Sequence, residues 1–103
     1  MIFETLHGSA QRGELILIEG GYCRWHLRKD GQLTIYEIIS LKPGAGSAML
    51  EQLKQVKGAT SIFARCPFDL AANNWYLMKG FTFEGLKVTD SGRWLQQWRL
   101  TLN

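Results

Sequence analysis

Residues 33–57 limit what this chain can fold into more than any other stretch. An apolar, strand-like run from Leu33 to Leu41 leads through Lys42 and Pro43 into Gly44-Ala45-Gly46. From Ala45 to Lys57 the spacing turns helical: Met49, Leu53 and Val56 fall on one face, while Glu51, Lys54, Gln55 and Lys57 fall on the other. A helix start leaves backbone N–H groups without intrahelical partners and carries a partial positive charge, so it favours an anion. Gly44 and Gly46 lack the Cβ atoms that would hold a phosphate off the backbone. The stretch therefore predicts a site for a phosphate-bearing ligand. Two nucleotide motifs are excluded. A Walker loop needs Gly-Lys-Ser/Thr, but Ser47 and Ala48 follow Gly46; a dinucleotide fingerprint needs a small residue at Met49 and an acid where Arg65 and Cys66 stand.

Around this stretch the pattern is mostly β. Met1 to Leu6 reads as a short strand and His7 to Gly13 as a loop. Glu14 to Glu19 is an apolar run closed by Gly20-Gly21, and Tyr22 to Arg28 alternates, with Cys23, Trp25 and Leu27 opposite Arg24, His26 and Arg28. His26 is read as a solvated strand histidine. An Asp30-Gly31 turn makes Leu33 to Leu41 its hairpin partner. Gly58 is expected to close the helix, and Ser61 to Cys66 forms a strand stopped by Pro67. Asp69 is the expected N-cap of a second helix, Leu70 to Lys79, closed by Gly80. Phe81 to Thr89 and Trp94 to Leu102 make a closing hairpin, with Trp94, Trp98, Leu100 and Leu102 on its core side. The fold class is α+β, a mostly antiparallel sheet with two helices and one crossover.

Length and charge narrow the function classes. A chain of 103 residues with 46% hydrophobic residues makes one ordered domain, 1–103. No apolar run approaches the roughly 20 residues of a membrane-spanning helix. The N-terminus has neither a basic start nor a long apolar stretch, so no secretory signal is expected and the cytoplasm is the expected compartment. Cys23 and Cys66 have no CxxC spacing and no nearby His pair, which argues against zinc and for buried free thiols. The net charge of +3 suits an anionic ligand.

In this order the elements resemble the GCN5-related N-acetyltransferase (GNAT) superfamily, over roughly residues 14 to 103. Two motifs carry the likeness. The family's Gln/Arg-x-x-Gly-x-Gly/Ala pyrophosphate loop falls on Leu41-Lys42-Pro43-Gly44-Ala45-Gly46. Its Asn-x-x-Ala-x-x-Φ-Tyr-x-x-x-Gly-Phe pattern, with Φ apolar, is similar to Asp69 through Phe81 at Ala72, Trp75, Tyr76, Gly80 and Phe81. The resemblance implies a central cleft between splayed strands that binds acetyl-CoA as cosubstrate. Pantetheine would pair with backbone of Ile38, Ile39 and Ser40, and the pyrophosphate would meet N–H groups of Gly44, Ala45, Gly46, Ser47 and Ala48, with Lys42 adding charge. Asn73 or Asn74 would hydrogen-bond the cofactor, and Tyr76 would point at the sulfur as proton donor. A backbone N–H near Ile39 would polarise the thioester, and Glu37, with Glu19 as its rival, would be the base for an amine acceptor. Neither Cys is placed for a covalent intermediate.

Three departures qualify the resemblance. Leu41 stands where the family has Gln or Arg, and Asp69 replaces the common Asn. The N-terminal segment has room for only a short connection where the family usually carries two helices that wall the acceptor pocket, so the resemblance implies a minimal form. A second copy of the chain in a homodimer would supply such a wall. The alternative is a non-catalytic acyl-CoA-binding or protein-interaction module on the same fold. A small nucleic-acid binder using Arg24, Arg28, Lys29 and surface tryptophans ranks third.

Overall fold

A computed structural model describes residues 2–102. Along the chain run α1 (Ile2–Gln11), β1 (Leu15–Ile18), β2 (Gly21–Leu27), β3 (Gln32–Ser40), α2 (Ala45–Lys54), β4 (Ser61–Pro67), α3 (Ala72–Met78), β5 (Thr82–Val88) and β6 (Trp94–Thr101). The six strands form one sheet in the order β1-β2-β3-β4-β6-β5. Only β3 and β4 run parallel, because α2 carries the chain across between them; the other neighbours are antiparallel.

Strand alternation divides the sheet into two unlike faces. Ile16, Cys23, Leu33, Ile35, Ile62, Ala64, Cys66 and Trp98 are buried against Met49, Leu50 and Leu53 of α2 and Tyr76 of α3. Met49, Leu50 and Leu53 are each at most 1% exposed, so each contributes about 1.5–3 kcal/mol of hydrophobic stabilisation. On the opposite face, α1 lies over the β1–β2 end, where Leu15, Leu17 and Tyr22 line an apolar groove together with Phe3, Leu6 and Ala10. The rest of that face carries mainly polar and charged side chains, with Tyr36 and Phe63 among them.

The expected strand at Met1–Leu6 and loop at His7–Gly13 are instead the helix α1, Met1 lying outside the described residues. Gly8, Ser9 and Gly13 gave the segment the composition of a loop. Docking on the sheet overrides that weak propensity: Ser9 is buried, its carbonyl accepts from Glu14 N–H at 2.8 Å, and Gly13 leaves the helix at φ +72°. One N-terminal helix is therefore present where a short connection is expected. Asp69 does not cap α3, which starts three residues later with Ala71 at its N-cap and no side-chain cap. The helix α2 stops at Lys54, and Gly58, at φ +93°, belongs to the turn beyond it. Trp94 is 47% exposed rather than core, whereas Trp98 is buried. Among the described residues, no helix is long and apolar enough to cross a membrane.

Candidate functional site

The sheet is split at its centre. β3 pairs with β4 only from Gln32 opposite Ser61 to Ile35 opposite Ala64. On its other edge β3 carries a bulge: Arg24 faces Glu37 and Trp25 faces Ile35, so Tyr36 is an extra residue. A bulge bends its strand and increases the local twist, and here it begins where the β3–β4 pairing stops. Beyond it β4 stays with β6 as far as Pro67, while β3 stays with β2 as far as Ser40. Leu41 N–H donates to the Gly20 carbonyl at 2.7 Å. Alternation along the ladder then turns the backbone groups of Ile39 toward β2, and those of Ile38 and Ser40 into the gap.

A cavity of about 350 Å³ fills this gap on the helix-covered face. Ile38 and Ser40 line it from β3, Gly44, Gly46 and Ser47 from the mouth of α2, and Ala72, Trp75 and Tyr76 from α3. Gly44 is the N-cap of α2 at φ +86°, ψ −12°, a left-handed conformation that costs an L side chain about 1–2 kcal/mol. That tight turn uses two of the five expected amides. Ala45 N–H donates to Lys42 O at 3.1 Å and Ala48 N–H to Gly44 O at 3.0 Å, whereas the N–H groups of Gly44, Gly46 and Ser47 have no acceptor among the described residues. All three belong to residues lining the cavity. Gly46 also permits close packing, since a Cβ there would stand 3.3 Å from the Trp75 ring.

Tyr76 is 4% exposed and packs edge-on against Phe81 with ring centroids 5.1 Å apart. Burial, followed by the nearby Cys66 and Cys23 thiols, pushes its phenol well above the ordinary value, so it stays protonated at neutral pH. Asn73 serves the framework. Its Nδ2 donates to Pro67 O at 2.7 Å and Leu70 O at 2.9 Å, and its Oδ1 accepts from Trp98 Nε1 at 2.9 Å. Asn74 is exposed and reaches the Met78 sulfur at 3.4 Å. Lys42 donates to Glu19, and its stem lies against Gly20 outside the cavity.

Glu37 lies on the opposite face, where the bulge sets it beside Arg24. Arg24 Nε donates to its carboxylate at 3.2 Å, and burial followed by the nearby Glu37 carboxylate pushes the Tyr22 phenol above its ordinary value. On the same face His26 Nδ1 is 2.6 Å from Glu14, which also pairs with Arg12 at 3.0 Å. Burial raises the Glu14 pKa, but His26 and Arg12 outweigh it and hold the carboxyl below its usual range. Trp25 and Trp98 belong to the helix-covered side, and Trp75 sits on α3, so these rings lie away from Arg24 and Arg28. Sequence reasoning missed Arg65, Arg99 and Phe63 on the open face, because nothing local marks where β4 and β6 place them.

No family model matches this chain, and no curated protein matches it. Solved structures do. An acetyltransferase of the GNAT family from Bacillus cereus superposes with a TM-score of 0.81 at 14% identity, covering 97% of this chain and 78% of that one. RimL, a ribosomal L7/L12 alpha-N-protein acetyltransferase in complex with coenzyme A, gives 0.70 at 14% identity, covering 96% of this chain and 70% of the other. A candidate streptothricin acetyltransferase from Bacillus anthracis, in complex with acetyl coenzyme A, gives 0.71 at 17%; the match covers 81% of this chain and 56% of that protein's length. At these identities the likeness is one of fold: the chain has the mixed, mostly antiparallel GNAT fold.

Proposed function

We propose that this chain, built on the GNAT fold, transfers an acetyl group from acetyl-CoA directly to an amine. One observation carries the reading: the early end of β3–β4 pairing opens a cavity beside a helix mouth that presents three unpartnered amides. Anionic diphosphate suits that mouth, since the amides and the helix field act together. When bound, acetyl-CoA supplies an activated thioester carbonyl. The N–H groups of Gly44, Gly46 and Ser47 would hold the diphosphate, and the gap-facing backbone of Ile38 and Ser40 would pair with the pantetheine amides. The Ile38 N–H takes the carbonyl-polarising role first expected near Ile39, since Ile39 turns toward β2. Burial keeps the Tyr76 phenol protonated and also makes it a weaker acid, so its service to the departing sulfur is to donate a hydrogen bond rather than to give up its proton. Glu37 is the candidate base, drawing a proton from the incoming ammonium through water.

The second reading is a non-catalytic acyl-CoA-binding module. It is favoured by the pairing of the Glu37 carboxylate with Arg24, which ties the candidate base to a cation.

Thermal unfolding with and without acetyl-CoA, in the parent and in Ser47→Glu, tests the shared premise. Saturating ligand should raise the parent's Tm by several degrees, and the added carboxylate should remove the gain by repelling the diphosphate. A parent whose Tm ignores acetyl-CoA would sink both readings. Where binding is seen, Tyr76→Phe separates them: an enzyme loses about tenfold or more in thiol release while keeping its thermal gain, and a binder releases no thiol in either form.

A further inference from the structure

A second cavity, of about 410 Å³, lies on the open face of the sheet. Thr34 and Tyr36 line it from β3, and Phe63 and Arg65 from β4. These residues bracket Ile35 opposite Ala64, the last β3–β4 pair, and point away from the helix-covered core. The second cavity therefore lies over the last paired residues of β3 and β4, on the face opposite the first, and reaches the mouth of the split at Tyr36 and Arg65. A group held in the first can meet a group held in the second only through the gap between β3 and β4.

The chemistry of the second cavity is cationic. Arg28, Arg65 and Arg99 line it with Glu84 as the one carboxylate. Arg99 is committed: it pairs with Glu84 at 2.8 Å and donates to Ser61 at 3.0 Å and Gln32 at 3.1 Å. Arg28 pairs with Asp30 at 2.6 Å. Arg65 differs. Its Nε donates to Gln97 at 3.2 Å, its guanidinium lies over the Phe63 ring at 5.3 Å, and it has no carboxylate partner among the described residues. Backed by an aromatic face and tethered at Nε, it keeps its two terminal nitrogens for a planar anion.

Resting on the acetyl-transfer reading, we propose that this cavity takes the amine acceptor, and that the acceptor is a small amine bearing a carboxylate, which Arg65 holds. The amine then approaches the thioester through the split, from the face on which Glu37 stands. The ammonium first gives one proton through water toward Glu37; the neutral nitrogen then forms the new C–N bond as the C–S bond breaks, and the second proton it sheds passes through water to the departing thiolate. A polyamine is disfavoured, because Arg28 and Arg99 already engage Asp30 and Glu84 and the positive charge of Arg65 is left to repel it.

The test uses matched probes on the full chain: β-alanine against its amide, glycine against glycinamide, and spermidine. Binding is read without acetyl-CoA, from NMR shifts of the Arg65 Nε–H and the backbone amides of residues 63–66. The acids should bind at least about tenfold more tightly than their amides, Arg65→Ala should abolish that preference, and Arg65→Lys should restore part of it. Arg65→Ala should also lose about tenfold in kcat/KM for the acids while its thermal gain with acetyl-CoA persists. Equal affinity for acid and amide, absence of binding by the acids, tighter binding of spermidine, or an acid preference that survives in Arg65→Ala would overturn the proposal. Acid binding in a protein that ignores acetyl-CoA would refute the acetyl-transfer reading and, with it, the acceptor role, while leaving Arg65 as a carboxylate site.

Discussion

Asn73 shows how one side chain can look like a ligand-binding group in sequence and act as a strut in the fold. Its amide joins the end of β4, the turn before α3 and Trp98 of β6 through three hydrogen bonds. Removing it leaves the Trp98 indole N–H without an acceptor in a buried place, where an unsatisfied group costs about 1–3 kcal/mol, while the Pro67 and Leu70 carbonyls keep the backbone N–H groups of Leu70 and Asn73. Asn73→Ala should therefore lose roughly 2–3 kcal/mol in urea unfolding, while acetyl-CoA binding by the folded fraction is retained. Weakened binding at unchanged stability would return Asn73 to the cofactor. The glycine pair at the mouth of α2 was legible because turn and helix start are set by neighbours in sequence. The Ala48 amide is spent on the first i→i−4 bond of that helix, but the loss of the Ala45 amide to Lys42 O was not legible, since it depends on the angle at which Gly44 enters the helix.

At the scale of elements, β3 matters most, and its decisive feature is a count. Between Arg24 and Trp25 of β2, β3 holds one residue too many, and its pairing with β4 ends there. Deleting Tyr36 should restore a regular ladder, extend β3–β4 pairing beyond Ile35 and close the gap. The expected outcome is a folded protein, by circular dichroism, whose Tm no longer rises with acetyl-CoA. A deletion variant that binds as the parent does would mean that the bulge does not create the cleft. The helix α1 marks the opposite limit of sequence reading: its glycines and serine argue for a loop, and only the apolar surface of β1 and Tyr22 makes helix the better state.

Across the whole molecule, the buried acids that hold their protons lie on the helix-covered side. Burial pushes the Cys23 thiol from 9.0 up to about 12, and it raises the Cys66 thiol and the Tyr76 phenol too. Each folded-state pKa exceeds its unfolded value, so the stability they contribute is complete below the unfolded pKa and is lost as pH rises through the folded one. Tm should therefore fall as pH rises from 9 toward 12, the span set by Cys23. Calorimetry at stepped pH would check this, and a Tm that stays level across that window would refute it. Glu14 acts in the other direction. Its lowered pKa contributes stability above the usual carboxylate range and loses it on acidification.

By itself the sequence determined the path from strand through Gly44 to α2, the hairpin at Gly31, the closing strands and the motif around Tyr76. These depend on φ preferences and on apolar spacing within a few residues of each other. Tertiary structure alone decided that α1 is a helix, that β3 bulges at Tyr36, which amides at the helix mouth stay free, and that Arg65 stands behind the split. Each of those outcomes is fixed by alignment against a strand or helix distant in the chain, and local residue preferences hold no record of that alignment.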